Sequence, residues 1–275
     1  MPAPSHSIGI VAALVGVLVA VAFATAVHGQ NAPESASGRA VPTGQPWDLV
    51  YISDSSGWGV AHFYARRIRH DRGVTVRVHD EWQGDLAALT ILQRLRAPWD
   101  PWVRLIRDAE VIVVYPVGLA VVKGGDCVTS SDPPLAVGPQ LWTKYVAGLK
   151  AIYKRIFEIR KGRPVILRTA HWYVPVISHA PSSPFFRSKS WDEAGITEIC
   201  TKQWEWNSWA IAKAAASYRV RVADVYSAFN GRTHLEDPVA KGYIQTDGIH
   251  PNNKGRAVIA QTLAALGYKR VEPPR

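Results

Sequence analysis

The stretch Asp48-Leu-Val-Tyr-Ile-Ser-Asp-Ser-Ser-Gly-Trp-Gly59 carries the strongest fold signal in the chain. Its first six residues form an apolar run rich in β-formers, which predicts a buried strand over 48–53. A small, hydroxyl-rich turn follows at once, and apolar residues at helical spacing begin at Val60. This order places the hydroxyl groups at the carboxyl edge of a sheet, where open α/β sheets bind ligands. The serines are therefore candidate nucleophiles, although Ser, Asp and Gly are equally common in a turn that only caps a helix.

The composition is that of a globular protein with a basic surface. Of the 275 residues, 47% are hydrophobic and 20% are charged, which is enough for one large core. The formal net charge is +10, but Lys and Arg are scattered and form no basic run flanked by aromatic residues. We therefore expect no nucleic-acid partner. The 11 Trp residues are many for this length and suit a cleft that stacks on sugar rings.

The N-terminus has the composition of a targeting segment. Residues 8–27 carry no charged side chain, and Ala24-Thr25-Ala26 suits cleavage of a signal peptide. The same run is long enough to span a bilayer. Residues 1–29 are therefore predicted to be either a cleaved signal peptide or an uncleaved membrane anchor, and both place the rest of the chain outside the cytoplasm. Residues 30–46 are predicted to be a flexible linker, and residues 47–275 the folded domain.

Apolar runs and helical patterns alternate along the whole predicted domain. This alternation is typical of a parallel sheet with helices on both faces. The predicted fold class is α/β, a three-layer α/β/α domain with a five-stranded parallel sheet. The predicted strands are 48–53, 74–80, 110–115, 164–169 and 220–225. The predicted helices are 60–69, 86–95, a short helix ending at 108, 140–160, 199–218 and 254–266.

A second polar turn, Gln245-Thr-Asp-Gly-Ile-His-Pro-Asn252, precedes the last predicted helix. The carboxylate of Asp247 can accept the proton on one ring nitrogen of His250, which leaves the other nitrogen free as a general base. The alternative is a helix-start loop in which both residues only cap. In a five-unit α/β domain this turn shares the carboxyl edge of the sheet with the first turn, which favours the catalytic interpretation.

With both turns in this element order, the sequence from residue 47 onward resembles the SGNH/GDSL hydrolase family of esterases and lipases, which has a flavodoxin-like α/β/α fold. The family's first block, Gly-Asp-Ser, corresponds to Ser53-Asp54-Ser55, so the resemblance implies Ser55 as the nucleophile, with Ser56 as the alternative register. The last block, Asp-x-x-His, corresponds to Asp247 and His250.

The two middle blocks of the family supply the oxyanion hole. Gln83-Gly84-Asp85 matches the second block, so the resemblance implies the backbone N–H groups of Ser55 and Gly84 as oxyanion donors. The third block, Gly-x-Asn-Asp, departs from the family pattern, because Gly118-Leu-Ala120 has Ala where the family has the donating Asn.

The resemblance implies an exported serine esterase that hydrolyses carboxylic esters through an acyl-serine intermediate and needs no cofactor. The expected substrate is a small-molecule or carbohydrate ester. The alternative is a catalytically weak or inactive protein that binds carbohydrate or envelope material, and the missing Asn motivates it. No metal site is predicted, because the nine His residues show no close ligand pair at helical spacing.

Further residues are predicted from their neighbourhood in the sequence. The two cysteines, Cys127 and Cys200, are predicted to form a disulfide, as is usual in an exported protein. Residues near the two turns or at strand ends on the same edge are predicted to line the substrate site. They are Asp54, Ser56, Trp58, His79, Gly118 and His171.

Overall fold

The strands pair in the order β2-β1-β3-β4-β5 in the computed structural model, which describes residues 44–84, 86–115, 139–175 and 196–273. Each neighbouring pair is parallel, so the predicted five-stranded parallel sheet is confirmed. The strands are β1 (Trp47–Ser53), β2 (Val76–Trp82), β3 (Val111–Val114), β4 (Ile166–Ala170) and β5 (Arg221–Ala223).

Helices cover both faces of the sheet, because the central strands are apolar on both sides. Leu49 to Ile52 are fully buried, and so are the residues of β3. Val50 and Ile52 pack into one cluster with α2 to α5, while α1 and α7 pack together on the opposite face. The helices are α1 (Val60–Arg72), α2 (Ala88–Arg96), α3 (Pro101–Asp108), α4 (Pro139–Ile159), α5 (Ile196–Ala216), α6 (Val225–Asn230) and α7 (Asn253–Ala265).

The edge strand β2 lies two residues further along the chain than predicted. Most of its residues are half-buried, so apolar periodicity defines its ends poorly. Its bounds follow from pairing with β1, in which Trp47 is opposite Val76 and Ser53 is opposite Trp82. Since β1 continues to Ser53, β2 continues to Trp82, beyond the predicted end at residue 80.

The helix α6 is not among the predicted helices, and it begins at Val225, the last residue of the predicted fifth strand. Asp224 caps it by accepting a hydrogen bond from the N–H of Ser227, and Gly231, at φ 72°, ends it. Six residues are too few to show a helical periodicity. In the sequence, only the capping residue Asp224 and the glycine Gly231 indicate this helix.

Several predictions fall outside the described residues. They concern the N-terminal signal or anchor, most of the linker, Gly118, Cys127 and the side chain of Cys200. The disulfide and the N-terminal segment therefore stay predictions. Of the helices in the described part of the chain, none combines the length and the apolar character needed to cross a membrane.

Candidate active site

A single 3₁₀ turn at the carboxyl end of β1 presents Ser55. Asp54 caps this turn, with its Oδ1 accepting hydrogen bonds from the Ser56 N–H, at 2.9 Å, and from the Ser56 hydroxyl. Asp54 and Ser56 are both buried. The hydroxyl of Ser56 is thus used within the turn, whereas the hydroxyl of Ser55 reaches a partner from a distant part of the chain. Of the two registers left open by the sequence, the structure favours Ser55.

Two glycines allow the turn to fold against the sheet. A Cβ atom at Gly57 would lie 2.4 Å from the Cβ of Ser53, so only glycine permits this approach. Gly59 has a φ of +74°, in the left-handed region, and its N–H donates to Oδ2 of Asp80 at 3.2 Å. Burial raises the pKa of Asp80, although the bond from Gly59 opposes that shift. The turn is therefore fixed both to β1 and to β2.

The second turn is a short hairpin just before α7. Ile244 and Pro251 form an antiparallel bridge across it, and Gly248 occupies its tip at φ +80°. The hydroxyl of Tyr173, which follows β4, donates to the carbonyl oxygen of Ile249 at 2.7 Å. No local sequence pattern indicates this role for Tyr173, because the contact spans 76 positions of the chain. The bridge and the tyrosine together hold this hairpin over the sheet edge.

These two turns bring three predicted side chains into one hydrogen-bonded series. The Nε2 of His250 lies 2.9 Å from the Oγ of Ser55, and its Nδ1 lies 2.8 Å from Oδ2 of Asp247. Ser55 and His250 are 195 positions apart in the chain. The structure therefore joins the two motifs as Asp–His–Ser, with one imidazole between the carboxylate and the hydroxyl.

The contacts of Asp247 determine which ring nitrogen of His250 faces the carboxylate. Burial alone would raise the pKa of Asp247, but the N–H groups of Ile249 and His250 donate to its Oδ1, at 2.8 and 3.0 Å, and the ring of His250 contacts its Oδ2. Together these groups hold the pKa below its usual value. Because Asp247 is then an ionised acceptor, Nδ1 of His250 carries the ring proton and Nε2 can accept the hydroxyl proton of Ser55.

Gly84 lies beside the end of β1. The N–H of Gln83 donates to the carbonyl oxygen of Ser53 at 3.0 Å, which keeps the next residue at this edge. A Cβ atom at Gly84 would meet nothing within 4 Å. Among the described residues, the backbone N–H groups of Ser55 and Gly84 have no hydrogen-bond partner. Gly118 and Ala120, from the third block, lie outside the described residues.

Trp58 forms an exposed aromatic surface next to the Ser55 turn. Its indole is 48% exposed and lies 5.7 Å, centroid to centroid, from the indole of Trp82, which is 45% exposed. The guanidinium of Arg256, on α7, lies 4.7 Å above the Trp58 ring. This cation–π contact holds the indole in place while part of its surface stays open to solvent.

The two histidines predicted at strand ends are both separated from the Asp–His–Ser series. His79 pairs with Val50 in mid-strand, because β2 lies further along than predicted, and its Nε2 lies 3.0 Å from Oδ1 of Asp48 at the opposite end of β1. His171 does follow β4, but its Nδ1 lies 3.1 Å from Oδ1 of Asp224, and both residues line a cavity whose lining does not include Ser55. The part of the chain that the structure describes holds no group of three His, Cys, Asp or Glu side chains suited to a metal ion.

Comparison with known proteins supports the fold through structure rather than sequence. No protein-family model matches the chain, and no curated protein matches it. A lipase from a goat rumen metagenome matches with a TM-score of 0.56 and 18% identity, covering 81% of this chain and 98% of that one. A GDSL-like lipase from Parabacteroides merdae gives 0.57 and 12%, covering 82% and 97%.

A third solved structure, an acetyl xylan esterase from Geobacillus stearothermophilus, gives a TM-score of 0.53 and 13% identity, covering 82% of this chain and 97% of that one. At these identities the likeness concerns the fold. The chain has the SGNH/GDSL hydrolase-like fold, as the sequence motifs indicated.

Proposed function

We propose that this protein is a serine esterase that hydrolyses carboxylic esters through an acyl-serine intermediate. Ser55 is the nucleophile, His250 the general base and Asp247 the group that orients the imidazole. The observation that carries the proposal is the uninterrupted series from Asp247 through His250 to the Ser55 hydroxyl, with contacts of 2.8 and 2.9 Å. Such spacing is within the reach required for proton transfer in nucleophilic catalysis.

The proposed reaction has two halves that share one base. Nε2 of His250 takes the proton of Ser55 as Oγ attacks the ester carbonyl, and the N–H groups of Ser55 and Gly84 stabilise the oxyanion. His250 then returns the proton to the leaving alkoxide, and the acyl group remains on Ser55. In the second half His250 deprotonates a water molecule that attacks the acyl carbonyl. As that intermediate collapses, His250 returns the proton to Oγ of Ser55, which releases the acid and restores the free serine.

The Ala at position 120 bears on the rate of this reaction rather than on its type. Removing one oxyanion donor costs roughly 3–4 kcal/mol of transition-state stabilisation. The Asp–His–Ser series still provides the nucleophile and the base, and the backbone N–H groups of Ser55 and Gly84 are the proposed remaining oxyanion donors. We therefore propose an active enzyme with slow turnover in place of an inactive binder.

The proposed substrates are O-acyl esters of carbohydrates or of small alcohols. The exposed Trp58 and Trp82 support this class, because aromatic faces beside the nucleophile suit sugar or aryl rings. We also propose that the protein acts outside the cytoplasm, since residues 8–27 have the composition of an export signal or an anchor.

The decisive experiment is labelling with a fluorophosphonate probe, together with hydrolysis of p-nitrophenyl acetate. We expect Ser55→Ala to abolish labelling and to lower kcat by about 10⁶-fold, the scale found when a catalytic serine is removed. Ser227→Ala is the matched control, since this serine also lies near an imidazole, 3.3 Å from Nε2 of His234, and it should label normally.

Two outcomes would contradict the proposal. One is full activity of Ser55→Ala on p-nitrophenyl acetate. The other is absence of label on folded wild-type protein, which would favour the carbohydrate- or envelope-binding alternative that the missing Asn first suggested.

A further inference from the structure

A cavity opens at the same sheet edge as the Ser55 site, between α5 and α6. Its volume is about 360 Å³, within the range of ligand pockets, which starts at about 300 Å³. It lies beyond the ends of β4 and β5, which are two and three strands from β1. At a strand spacing of about 4.8 Å, that separation corresponds to roughly 10–14 Å along the edge from Ser55. Its lining includes His171, Glu205, Trp209, Asp224, Tyr226 and His234.

Polar groups around this cavity are fixed in position but only partly used. The hydroxyl of Tyr226 donates to Oε1 of Glu205 at 3.2 Å, and Nδ1 of His171 lies 3.1 Å from Oδ1 of Asp224. Each carboxylate has a second oxygen and the imidazole a second nitrogen, so every pair retains hydrogen-bonding capacity. The cavity thus offers several oriented acceptors and donors around one space.

Aromatic rings supply the apolar part of the same wall. Trp209 is 44% exposed, and the ammonium group of Lys213 lies 4.5 Å from its ring. The rings of Tyr226 and His234 stack at 3.8 Å. Ala212 also lines the cavity, and its small side chain takes up little of the space. Flat apolar faces beside fixed polar groups suit a ligand with both apolar and hydroxylated sides.

Other ligand classes fit this arrangement poorly. Glu205 and Asp224 together disfavour an anion. An acyl chain would remove water from both carboxylates without offering them a hydrogen bond, which is costly. The residues that the structure describes here form no metal-binding group. A sugar ring suits both the carboxylates and the aromatic wall. Its hydroxyl groups can donate hydrogen bonds to the carboxylates while its C–H face lies on an aromatic ring.

We propose that this cavity binds one neutral sugar unit of an oligosaccharide, at a site separate from Ser55. The binding does not rest on the proposed ester hydrolysis. If both hold, a saccharide held between α5 and α6 and extended along the sheet edge would bring a more distant, acylated unit to Ser55, roughly 10–14 Å away.

The test is isothermal titration of the full wild-type chain with xylotetraose, cellotetraose and N-acetylated chitotetraose. These compounds carry no O-acyl ester, so the titration does not depend on the reactivity of Ser55. We expect at least one of them to bind with a Kd below about 1 mM. Trp209→Ala should weaken this binding at least tenfold, because it removes the exposed aromatic face.

A second variant and a control separate the cavity from the rest of the surface. Ala212→Trp should also weaken binding at least tenfold, because it fills the space and leaves the polar groups in place. Trp99→Ala should bind like wild type, since Trp99 is 85% exposed and lies outside the cavity. Melting curves for all three variants check that each one is folded.

Two results would overturn the proposal: no binding of any of the three oligosaccharides, or binding that both cavity variants retain. The outcome is distinguishable from that of the esterase test. Labelled Ser55 without sugar binding would remove only the cavity proposal, and sugar binding without labelled Ser55 would remove only the esterase proposal.

Discussion

Two clusters at one sheet edge contain the same types of side chain but connect them differently. In the first, the imidazole of His250 contacts both Asp247 and Ser55. In the second, Asp224 contacts His171, whereas Ser227 contacts a different imidazole, that of His234. Only the first cluster places one base between a carboxylate and a hydroxyl, so only the first can pass a proton from serine while the carboxylate stabilises the imidazolium.

This difference has a structural origin in the turns that carry each cluster. Asp247 and His250 share one hairpin, and their spacing directs the carboxylate and the imidazole to each other. Asp224 and Ser227 instead share the first turn of α6, where Asp224 accepts the N–H of Ser227 as a helix cap. The carboxylate is thereby used to begin a helix. The presence of Asp, His and Ser side chains is therefore not enough for a catalytic site, since the chemistry depends on which side chain contacts which.

The largest expected difference between the clusters concerns their histidines. His250→Ala should lower kcat for p-nitrophenyl acetate by about 10⁶-fold, because it removes the base that contacts Ser55. His171→Ala and His234→Ala should each change kcat by less than about threefold, since neither imidazole contacts that serine. Steady-state kinetics of the three purified variants measure this. A loss of similar size in all three would mean that the clusters act as one site.

The carboxylates offer a smaller contrast. Asp247→Asn should keep the hairpin, because the amide oxygen can still accept the N–H groups of Ile249 and His250. It should nevertheless lower kcat by about 10⁴-fold, since a neutral amide neither fixes the tautomer of His250 nor stabilises its imidazolium.

Asp224→Asn is the matched change in the second cluster. The amide oxygen can still cap α6, and we expect less than about a threefold change in kcat on the same ester. Equal losses in the two Asp→Asn variants would contradict the assignment of Asp247 to the Ser55 series.

The fold and the first cluster could largely be predicted from the sequence, because their signals are local. β1 and the turn with Ser55 are contiguous, and Asp247 and His250 lie three positions apart. The second cluster could not, since His171, Glu205, Asp224 and His234 meet only through the packing of α5 and α6 on neighbouring strands. His79 was misplaced for a related reason. The register of an edge strand depends on its partner, and its own half-buried residues do not reveal it.

In contrast, the two clusters should contribute alike to the pH dependence of the free energy of unfolding in acid. Burial tends to raise the pKa of Asp224, but the N–H and hydroxyl of Ser227 and the ring of His171 outweigh it, so that this pKa is lowered like that of Asp247. A carboxyl group whose pKa is lower in the folded state stabilises the fold above its unfolded value of about 3.9. That stabilisation is lost as the pH falls through the folded pKa.

Replacing either aspartate by asparagine should therefore make the free energy of unfolding less dependent on pH below about pH 4. Both side chains are partly exposed, at 42% for Asp247 and 56% for Asp224, so solvent screening limits each effect. We expect a few tenths of a kcal/mol per variant, about the size of an exposed ion pair. Urea unfolding of wild type, Asp247→Asn and Asp224→Asn at pH 6 and pH 3 measures it. A much larger change in the free energy of unfolding for Asp247→Asn would mean that the contacts of Asp247 with His250 and Ile249 also stabilise the fold. The two clusters would then differ in their contribution to stability as well as in their chemistry.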